Sequence, residues 1–262
     1  MKLSLYQLDA FTDTLFAGNP AAVVPLDAWI SDELMQKIAC ENNLAETAFY
    51  VPTESGYHIR WFTPTVEVDL CGHATLATAY VLFFIKNHPD TEISFESKSG
   101  VLKVTRQDDW LTLDFPVDTY QVAVAPPALQ ESMRAVESFD VYKGKSDYMV
   151  VLDNETQIRD MKPDLFILST IPTRGIIVTA KGDEVDFVSR FFGPQSGIDE
   201  DPVTGSAHTT LIPYWAERLK KNVMNARQLS ARGGYLRCEL VGDRTLISGQ
   251  VRLYMTGEIS LD

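Results

Sequence analysis

The sequence predicts an α+β fold of two pseudo-symmetric lobes, each a strongly curved, mostly antiparallel sheet wrapped around one central helix. Two observations predict this class: many short apolar runs of strand length with few helical segments, and a weak internal repeat offset by about 130 residues. A chain of 262 residues has room for two ordinary domains. We expect lobes at residues 1–116 and 117–262, and we allow the last strand to return to the first lobe.

The repeat is visible in two pairs of segments. The sequence RWFTP at 60–64 resembles RFFGP at 190–194. Each is followed by an acidic loop and a step of small residues, GHA at 72–74 and GSA at 205–207. Each step opens a mostly apolar helical segment, which we predict to be the central helix of its lobe.

Apolar runs in the first half predict strands at residues 3–11, 21–24, 47–51, 57–62, 92–95, 100–106 and 110–115. A helix begins at Ser31, whose hydroxyl can cap the free amides, and ends near Asn42. The central helix at 73–85 is apolar nearly all round, which is typical of full burial.

In the second half, Pro126 and Pro127 break the chain and open a predicted helix at 128–139. The central helix is predicted at 206–219, where Pro213 should kink or break it. Strands are predicted at residues 148–152, 175–179, 235–240 and 245–254.

The composition excludes several classes of function. Thirty-six acidic and 23 basic residues give a formal charge of −13, so the chain lacks the basic footprint of nucleic-acid binding and of attachment to anionic membranes. The longest apolar stretch, near 74–85, is too short to span a bilayer. Three widely spaced cysteines fit a reducing compartment. We therefore expect a cytoplasmic protein with no nucleic-acid or membrane partner.

The openings of the two central helices are the predicted binding sites. The first amides of a helix have no internal partners and carry partial positive charge, and glycine lets a ligand approach them. Two such ends facing a cleft between the lobes would bind a carboxylate without any Lys or Arg. The predicted substrate-binding positions are Gly72, Ala74, Gly205 and Ala207. The structural alternative is a pair of ordinary helix caps.

Glu46 and two histidines are the candidate acid–base groups. Glu46 lies between small and apolar residues, and the partial desolvation of such a carboxylate suits it to proton transfer. His73 and His208 adjoin the helix openings, where the positive helix end favours a neutral ring. The structural alternatives are a solvated loop charge for Glu46 and cap partners for the histidines.

Other chemistries have weaker signals. A metal site of Cys71, His73 and His208 lacks the usual ligand spacing. A hydrolase using Ser206, Asp201 and His208 lacks the G-x-S-x-G elbow. We find neither a dinucleotide fingerprint nor a P-loop.

Five segments together resemble the PhzF-like isomerases of phenazine biosynthesis, in order and over essentially the whole chain. They are DAFT at 9–12, GNPAAV at 18–23, NLAET at 43–47, CGHAT at 71–75 and DPVTGSA at 201–207. The resemblance implies a diaminopimelate-epimerase-like fold, a homodimer, and no cofactor or metal.

The resemblance also implies the site. Glu46 would carry the proton, and His73, Asp201 and Ser206 would occupy the remaining polar positions. Gly72 and Gly205 would offer amides to the substrate carboxylate. The expected function is a cofactor-independent isomerase that moves a proton on a small carboxylic acid, cyclic or amino-acid-like.

Two alternatives stay open. The wider fold includes racemases that use two cysteines, and here Cys71 precedes the first helix opening whereas Thr204 stands at the matching place. A two-thiol mechanism lacks its second thiol there, but a racemase, epimerase or dehydratase using Cys71 alone remains. The other alternative is a non-catalytic protein that binds a small molecule.

Overall fold

The computed structural model describes residues 1–134, 136 and 138–261, and it divides into two compact units. The first is Met1–Phe115 together with the chain from Leu246 onward, and the second is Pro116–Thr245. Sheets dominate both units and helices are few, which confirms the predicted fold class. In the part of the chain described, the helices are all too short or too polar to cross a bilayer.

The elements of the first unit begin with strands β1 Lys2–Ala10, β2 Asn19–Pro25, β3 Glu46–Thr53, β4 Gly56–Phe62, β5 Glu67–Val68, β6 Glu92–Ser97, β7 Gly100–Gln107 and β8 Trp110–Pro116. Its helices are α1 Asp32–Asn42 and α2 Gly72–Tyr80, the latter continued by a π-helical turn at Val81–Ile85.

The second unit contains β9 Gln121–Val122, β10 Asp140–Lys143, β11 Asp147–Val151, β12 Gly175–Lys181, β13 Phe187–Phe192, β14 Val223–Gln228, β15 Gly234–Val241 and the start of β16 Arg244–Gly249. Its helices are α3 Pro127–Ser132, α4 Glu155–Asp160, α5 Leu165–Leu168 and α6 His208–Leu219. The final strand, β17 Val251–Ser260, pairs antiparallel with β1 in the first unit.

The two units repeat one pattern of strand pairing. In the first, β1–β2 is antiparallel, β2–β3 parallel, β3–β4 antiparallel, β4–β6 parallel and β6–β7 antiparallel. In the second, β10–β11, β11–β12, β12–β13, β13–β14 and β14–β15 follow the same sequence of directions. Strand β3 therefore corresponds to β12, and β4 to β13.

Each unit buries one helix deeply. In α2, every residue from Gly72 to Ala79 is buried, as its all-round apolar sequence predicts. Helix α6 is amphipathic, and Trp215 on its buried face donates a hydrogen bond to Thr179 of β12 at 3.0 Å. Helix α1 begins where predicted, because the Ser31 hydroxyl accepts the amide of Leu34 at 3.3 Å.

Two predictions for helices need correction. The helix expected at 128–139 ends at Ser132, because the chain must leave the helix before Asp140 pairs with β11. Ala135 and Glu137 of that prediction lie outside the described residues. Pro213 does not break α6. A proline has no amide hydrogen to donate to the carbonyl of Thr209, four residues earlier. That carbonyl accepts the amide of Asp118 at 3.2 Å instead.

The strand predictions miss some elements of the second unit. The run expected at 245–254 is two strands, β16 and β17, separated at Gln250. Strands β9, β10, β13 and β14 and helices α4 and α5 were not predicted. Helices α4 and α5 have only 6 and 4 residues, too few to show a helical period in the sequence.

Candidate active site

Glu46 is a buried carboxylate at the first position of β3. It lies opposite Ala21 in the parallel pairing with β2, and only 9% of it is exposed. Glu46 is therefore not a solvated loop charge. Burial of a carboxylate is costly unless it has a partner, so its neighbours decide what it can do.

His73, in the first turn of α2, is that neighbour. Its Nε2 lies 3.1 Å from Oε2 of Glu46. Its Nδ1 lies 3.2 Å from Nδ2 of Asn19 and 3.5 Å from Sγ of Cys71. All four residues are buried. We call Glu46, His73, Asn19 and Cys71 the Glu46 centre.

The centre sets the protonation of its members. Burial alone would lower the pKa of His73, but Cys71 and Glu46 beside the ring raise it, and the net pKa lies well above its usual value. Burial, followed by the charge of Glu46, raises the pKa of Cys71 to about 11. The raised pKa favours a charged ring at His73, whereas its position at a helix start predicted a neutral one.

The start of α2 lies beside this centre. Cys71 is the N-cap residue, with an extended backbone and a side chain that makes no capping hydrogen bond. Gly72 and Ala74 follow in the first turn, and both are buried. The hydroxyl of Thr75 donates back to the carbonyl of Cys71 at 2.6 Å. Gly72 and Ala74 therefore present their amides at the electropositive end of a buried helix.

Asp201 lies in a polar network of the second unit. The Thr204 hydroxyl donates to Oδ2 of Asp201 at 2.6 Å, and the Thr204 amide donates to Oε1 of Gln228 at 2.8 Å. Nε2 of Gln228 in turn donates to the carbonyl of Asp201 at 2.8 Å. These bonds hold the loop before the second helix opening in one shape.

Ser206 contacts an arginine that the sequence analysis missed. Gly205–Ala207 forms a short 3-10 turn before α6, and Nη1 of Arg174 donates to the Ser206 hydroxyl at 2.8 Å. Arg174 also donates from Nε to Oδ1 of Asp147 at 2.9 Å, and from Nη2 to the other oxygen. Its guanidinium carbon lies 5.4 Å from the centre of the Phe191 ring. We call Arg174, Asp147, Ser206 and Phe191 the Arg174 centre.

His208 is a structural group. Its Nδ1 lies 2.9 Å from the carbonyl of Thr204, four residues earlier. The Thr75 hydroxyl makes the same kind of contact with the carbonyl of Cys71, also four residues earlier. Burial lowers the pKa of His208 to about 4, so the ring is neutral and donates from Nδ1. The prediction of a neutral ring at a helix opening is thus right for His208.

The structure assembles the predicted residues in two groups. Glu46 and His73 contact each other in the first unit, with Gly72 and Ala74 beside them. Asp201, Gly205, Ser206 and Ala207 lie in the second unit, around the start of α6. The internal repeat contained a signal for Arg174. Arg174 immediately precedes β12, and the matching residue in the first unit, Ala45, immediately precedes β3 and is next to Glu46.

One cluster among the described residues has donors suited to a metal. Ligand atoms of Glu46, Cys71 and His73 lie within 4.8 Å of one another. His208, which the sequence analysis considered as a ligand, is not part of this cluster. The closest contacts of His73 use opposite ring nitrogens for Glu46 and for Cys71, whereas one ion would bind a single ring nitrogen.

Comparison with known proteins gives concordant matches. The sequence model of the "Phenazine biosynthesis-like protein" family matches residues 8–258. An uncharacterised isomerase of Pseudomonas aeruginosa is 51% identical over 261 residues, covering 100% of both chains. The crystal structure of a PhzF-family protein from Enterococcus faecalis has a TM-score of 0.96 at 44% identity, again over 100% of both chains.

A more distant structure shares the fold. A hydroxyproline epimerase from Agrobacterium vitis has a TM-score of 0.65 at 13% identity, covering 100% of this chain and 93% of that chain. A sheet unit that occurs twice, each time with one buried helix, is the architecture of the diaminopimelate-epimerase-like fold class. Within that class, this chain belongs to the phenazine biosynthesis-like (PhzC/PhzF) family and is an isomerase.

Proposed function

We propose that this isomerase moves a proton on a small carboxylic acid, cyclic or amino-acid-like, and that Glu46 carries the proton. The observation that supports this most is the buried contact between Glu46 and His73, at 3.1 Å. A carboxylate in such a site can accept a proton from a substrate carbon and return a proton to another carbon.

The proposed steps balance in atoms and charge. The Glu46 carboxylate takes a proton from a substrate carbon, and the electron pair of that bond moves toward the substrate carboxyl group as an enolate. The protonated Glu46 then returns the proton, on the same face, to the far carbon of a C=C bond conjugated with the enolate, and the double bond shifts to the carbon that was first deprotonated. The product is an isomer of the substrate, and Glu46 is again a carboxylate.

The other residues of the sites assist this transfer. The amides of Gly72 and Gly205 stabilise negative charge on the substrate carboxyl group, at about 3 kcal/mol for a well-aimed donor. The protonated His73 orients Glu46. Asp201, which is polar and partly exposed, orients an amine or hydroxyl of the substrate.

The test is the variant Glu46→Gln, which keeps the shape of the side chain and removes its base. We expect the rates of isomer formation and of carbon-bound hydrogen exchange with deuterium oxide to fall by about 1,000-fold. NMR across a panel of cyclic unsaturated acids and amino acids measures both. Glu155→Gln is the matched control, because Glu155 is also buried and accepts the Asp183 amide at 2.8 Å. Full turnover by Glu46→Gln would end the assignment.

One observation favours a second candidate, a racemase or dehydratase that uses Cys71. Its Sγ lies 3.5 Å from Nδ1 of His73, inside the Glu46 centre. The raised pKa of about 11 argues against a thiolate there, and Thr204 replaces the thiol in the second unit. In the same assay Cys71→Ala separates the candidates, because its activity is lost only if the thiol carries the proton.

Independence from metals and other cofactors is part of the proposal. The donors of Glu46, Cys71 and His73 would suit a thiophilic ion such as Zn²⁺. Dialysis against a chelator should leave the exchange rate unchanged, and a rate restored only by added Zn²⁺ would contradict the proposal. An acid that binds without exchange or isomer formation would favour the non-catalytic alternative.

A further inference from the structure

The position that corresponds to Glu46 in the second unit holds a glycine. In the first unit, Thr47 of β3 pairs with Phe62 of β4, and Glu46 pairs with Ala21 of β2. In the second unit, Ile176 of β12 pairs with Phe192 of β13. Gly175, one residue before Ile176, pairs with Asp147 of β11. The repeated register therefore matches Glu46 with Gly175, and Ala21 with Asp147.

No side chain fits at Gly175. A Cβ built on this residue would lie 2.1 Å from Cζ of Phe191, well inside contact distance. The Phe191 ring therefore fills the place from which Glu46 projects in the first unit. A base at this position would require the Phe191 ring to move.

Arg174, one residue before Gly175, brings a positive charge near the Phe191 ring. Its backbone amide donates to the Ser146 carbonyl at 3.1 Å, and its carbonyl accepts the Ser196 hydroxyl at 2.9 Å. The buried Asp147 carboxylate accepts two hydrogen bonds from its guanidinium, and the Phe191 ring packs near it. The guanidinium is thus held in one orientation before any ligand arrives.

The guanidinium keeps unused donors beside Ser206. An arginine has five N–H groups, and Arg174 uses two on Asp147 and one on Ser206. One N–H on each terminal nitrogen has no partner among the described residues, and 41% of the side chain is exposed. Because Ser206 accepts from Arg174, its hydroxyl proton remains available for a ligand. Arranged this way, Arg174 and Ser206 offer three donors to an anion.

We propose that Arg174 determines specificity by binding the substrate's carboxylate, with Ser206 donating to the same group. This inference rests on the proposed function in that the substrate is a small acid. The sequence predicted that the carboxylate is bound by helix amides without any Lys or Arg, and the proposal adds Arg174 to those amides. Gly175 is the second unit's counterpart of Glu46, and Arg174, one residue before it, supplies the charged group of this unit.

The test measures binding of benzoate and succinate, each against its uncharged amide, by calorimetry at constant ionic strength. We expect the wild type to bind at least one of the two acids, and Arg174→Gln to weaken that binding at least 10-fold. The weak binding of the amides should not change. The matched control is Arg227→Gln, because Arg227 has a similar exposure of 47% and also pairs with a carboxylate, that of Glu184.

A second variant guards against misfolding, since Arg174→Gln leaves Asp147 buried without its cation. The double variant Arg174→Gln/Asp147→Asn removes both charges and should show the same loss of benzoate or succinate binding. Unchanged binding in a folded variant, or a wild type that binds neither acid, would overturn the proposal. Glu46→Gln should keep acid binding while it loses proton exchange, so the two proposals fail separately.

Discussion

The two units use the same structural device at matching places. In the first, Arg60 of β4 makes two hydrogen bonds to Glu67, at 2.8 and 2.9 Å, and lies 5.2 Å from the Phe62 ring. In the second, the pair is Arg190 of β13 and Glu200, at 2.7 and 2.9 Å, with the guanidinium 4.9 Å from the Phe192 ring. The two units therefore share an individual ion pair in addition to their pattern of strand pairing.

The helix openings match as well. Thr75 and His208 each bond back to the carbonyl of the N-cap position, Cys71 in one unit and Thr204 in the other. Different side chains thus bond to the same carbonyl, which also accepts a backbone amide, that of Thr75 in the first unit and that of Ala207 in the second.

The difference lies in the charged residues beside the helix openings. His73 contacts the carboxylate of Glu46, whereas Ser206, at the matching step, contacts the guanidinium of Arg174. One frame therefore presents a negative group in the first unit and a positive group in the second.

The shared ion pair can be broken in each unit. We expect Arg190→Met to lower the free energy of unfolding by about 4 kcal/mol, because Glu200 loses its cation in a partly buried place. Arg190 also donates to the carbonyls of Ile158 and Met161, at 3.1 and 2.8 Å. Arg60→Met should cost about 2 kcal/mol, because its further partner is an exposed carboxylate.

Native-state hydrogen exchange in β4 and β13 measures these two losses separately. Arg227→Met, at an exposed ion pair, is the control and should cost under about 0.5 kcal/mol. Equal losses for Arg60 and Arg190 would show that the two carbonyl contacts add nothing.

His208 should make stability depend on pH, and Thr75 at the matching position should not. The pKa of His208 is lowered to about 4, below the ordinary 6.5, so between these values the unfolded chain binds a proton that the folded chain does not. Stability is therefore lost as pH falls from 6.5 to 4, by up to about 3 kcal/mol. His208→Thr copies Thr75 and should remove this loss. Urea unfolding of the wild type and of His208→Thr at pH 7 and pH 4.5 measures how much unfolding free energy each protein loses with pH. The same loss in both proteins would refute the assignment.

Gly175 tests whether Phe191 closes the counterpart of the Glu46 position. We expect Gly175→Ala to cost about 2 kcal/mol, because its Cβ would overlap the Phe191 ring. The cost should shrink when Phe191→Ala is present, which a double-mutant cycle of unfolding free energies detects. Gly257→Ala, with no atom within 4 Å of the new Cβ, is the control. If Gly175→Ala lowers the free energy of unfolding no more than Gly257→Ala does, the Phe191 ring does not close this position.

Much of the fold was open to prediction from local patterns. The Ser31 cap, the buried helix after Gly72 and most strands of the first unit follow from capping chemistry and from apolar periodicity. The second unit was harder, because α4 and α5 are short and the strand β14 alternates between buried and exposed residues with little apolar content.

The candidate site divides in the same way. Glu46 and His73 stand out as residue types in unusual settings, and the structure brings them into contact. The roles of Glu46, His73, Asp201 and Ser206 stay predictions until the variants are measured. The pKa of His73 is raised by Cys71, two residues away, and by Glu46, 27 residues away, so the position of His73 at a helix start was not a sufficient guide to its charge.

The sequence by itself determined which segments form the two sheet units, where each buried helix opens and which carboxylate lies among apolar residues. These are properties of neighbouring residues, and a local pattern carries them. Only the tertiary structure decided that Arg174 meets Ser206, 32 residues away, and Asp147, 27 residues away. Strand register sets the contact with Asp147, because Asp147 of β11 pairs with Gly175, the residue after Arg174, and a shift of one residue would turn the Asp147 side chain to the opposite face of the sheet.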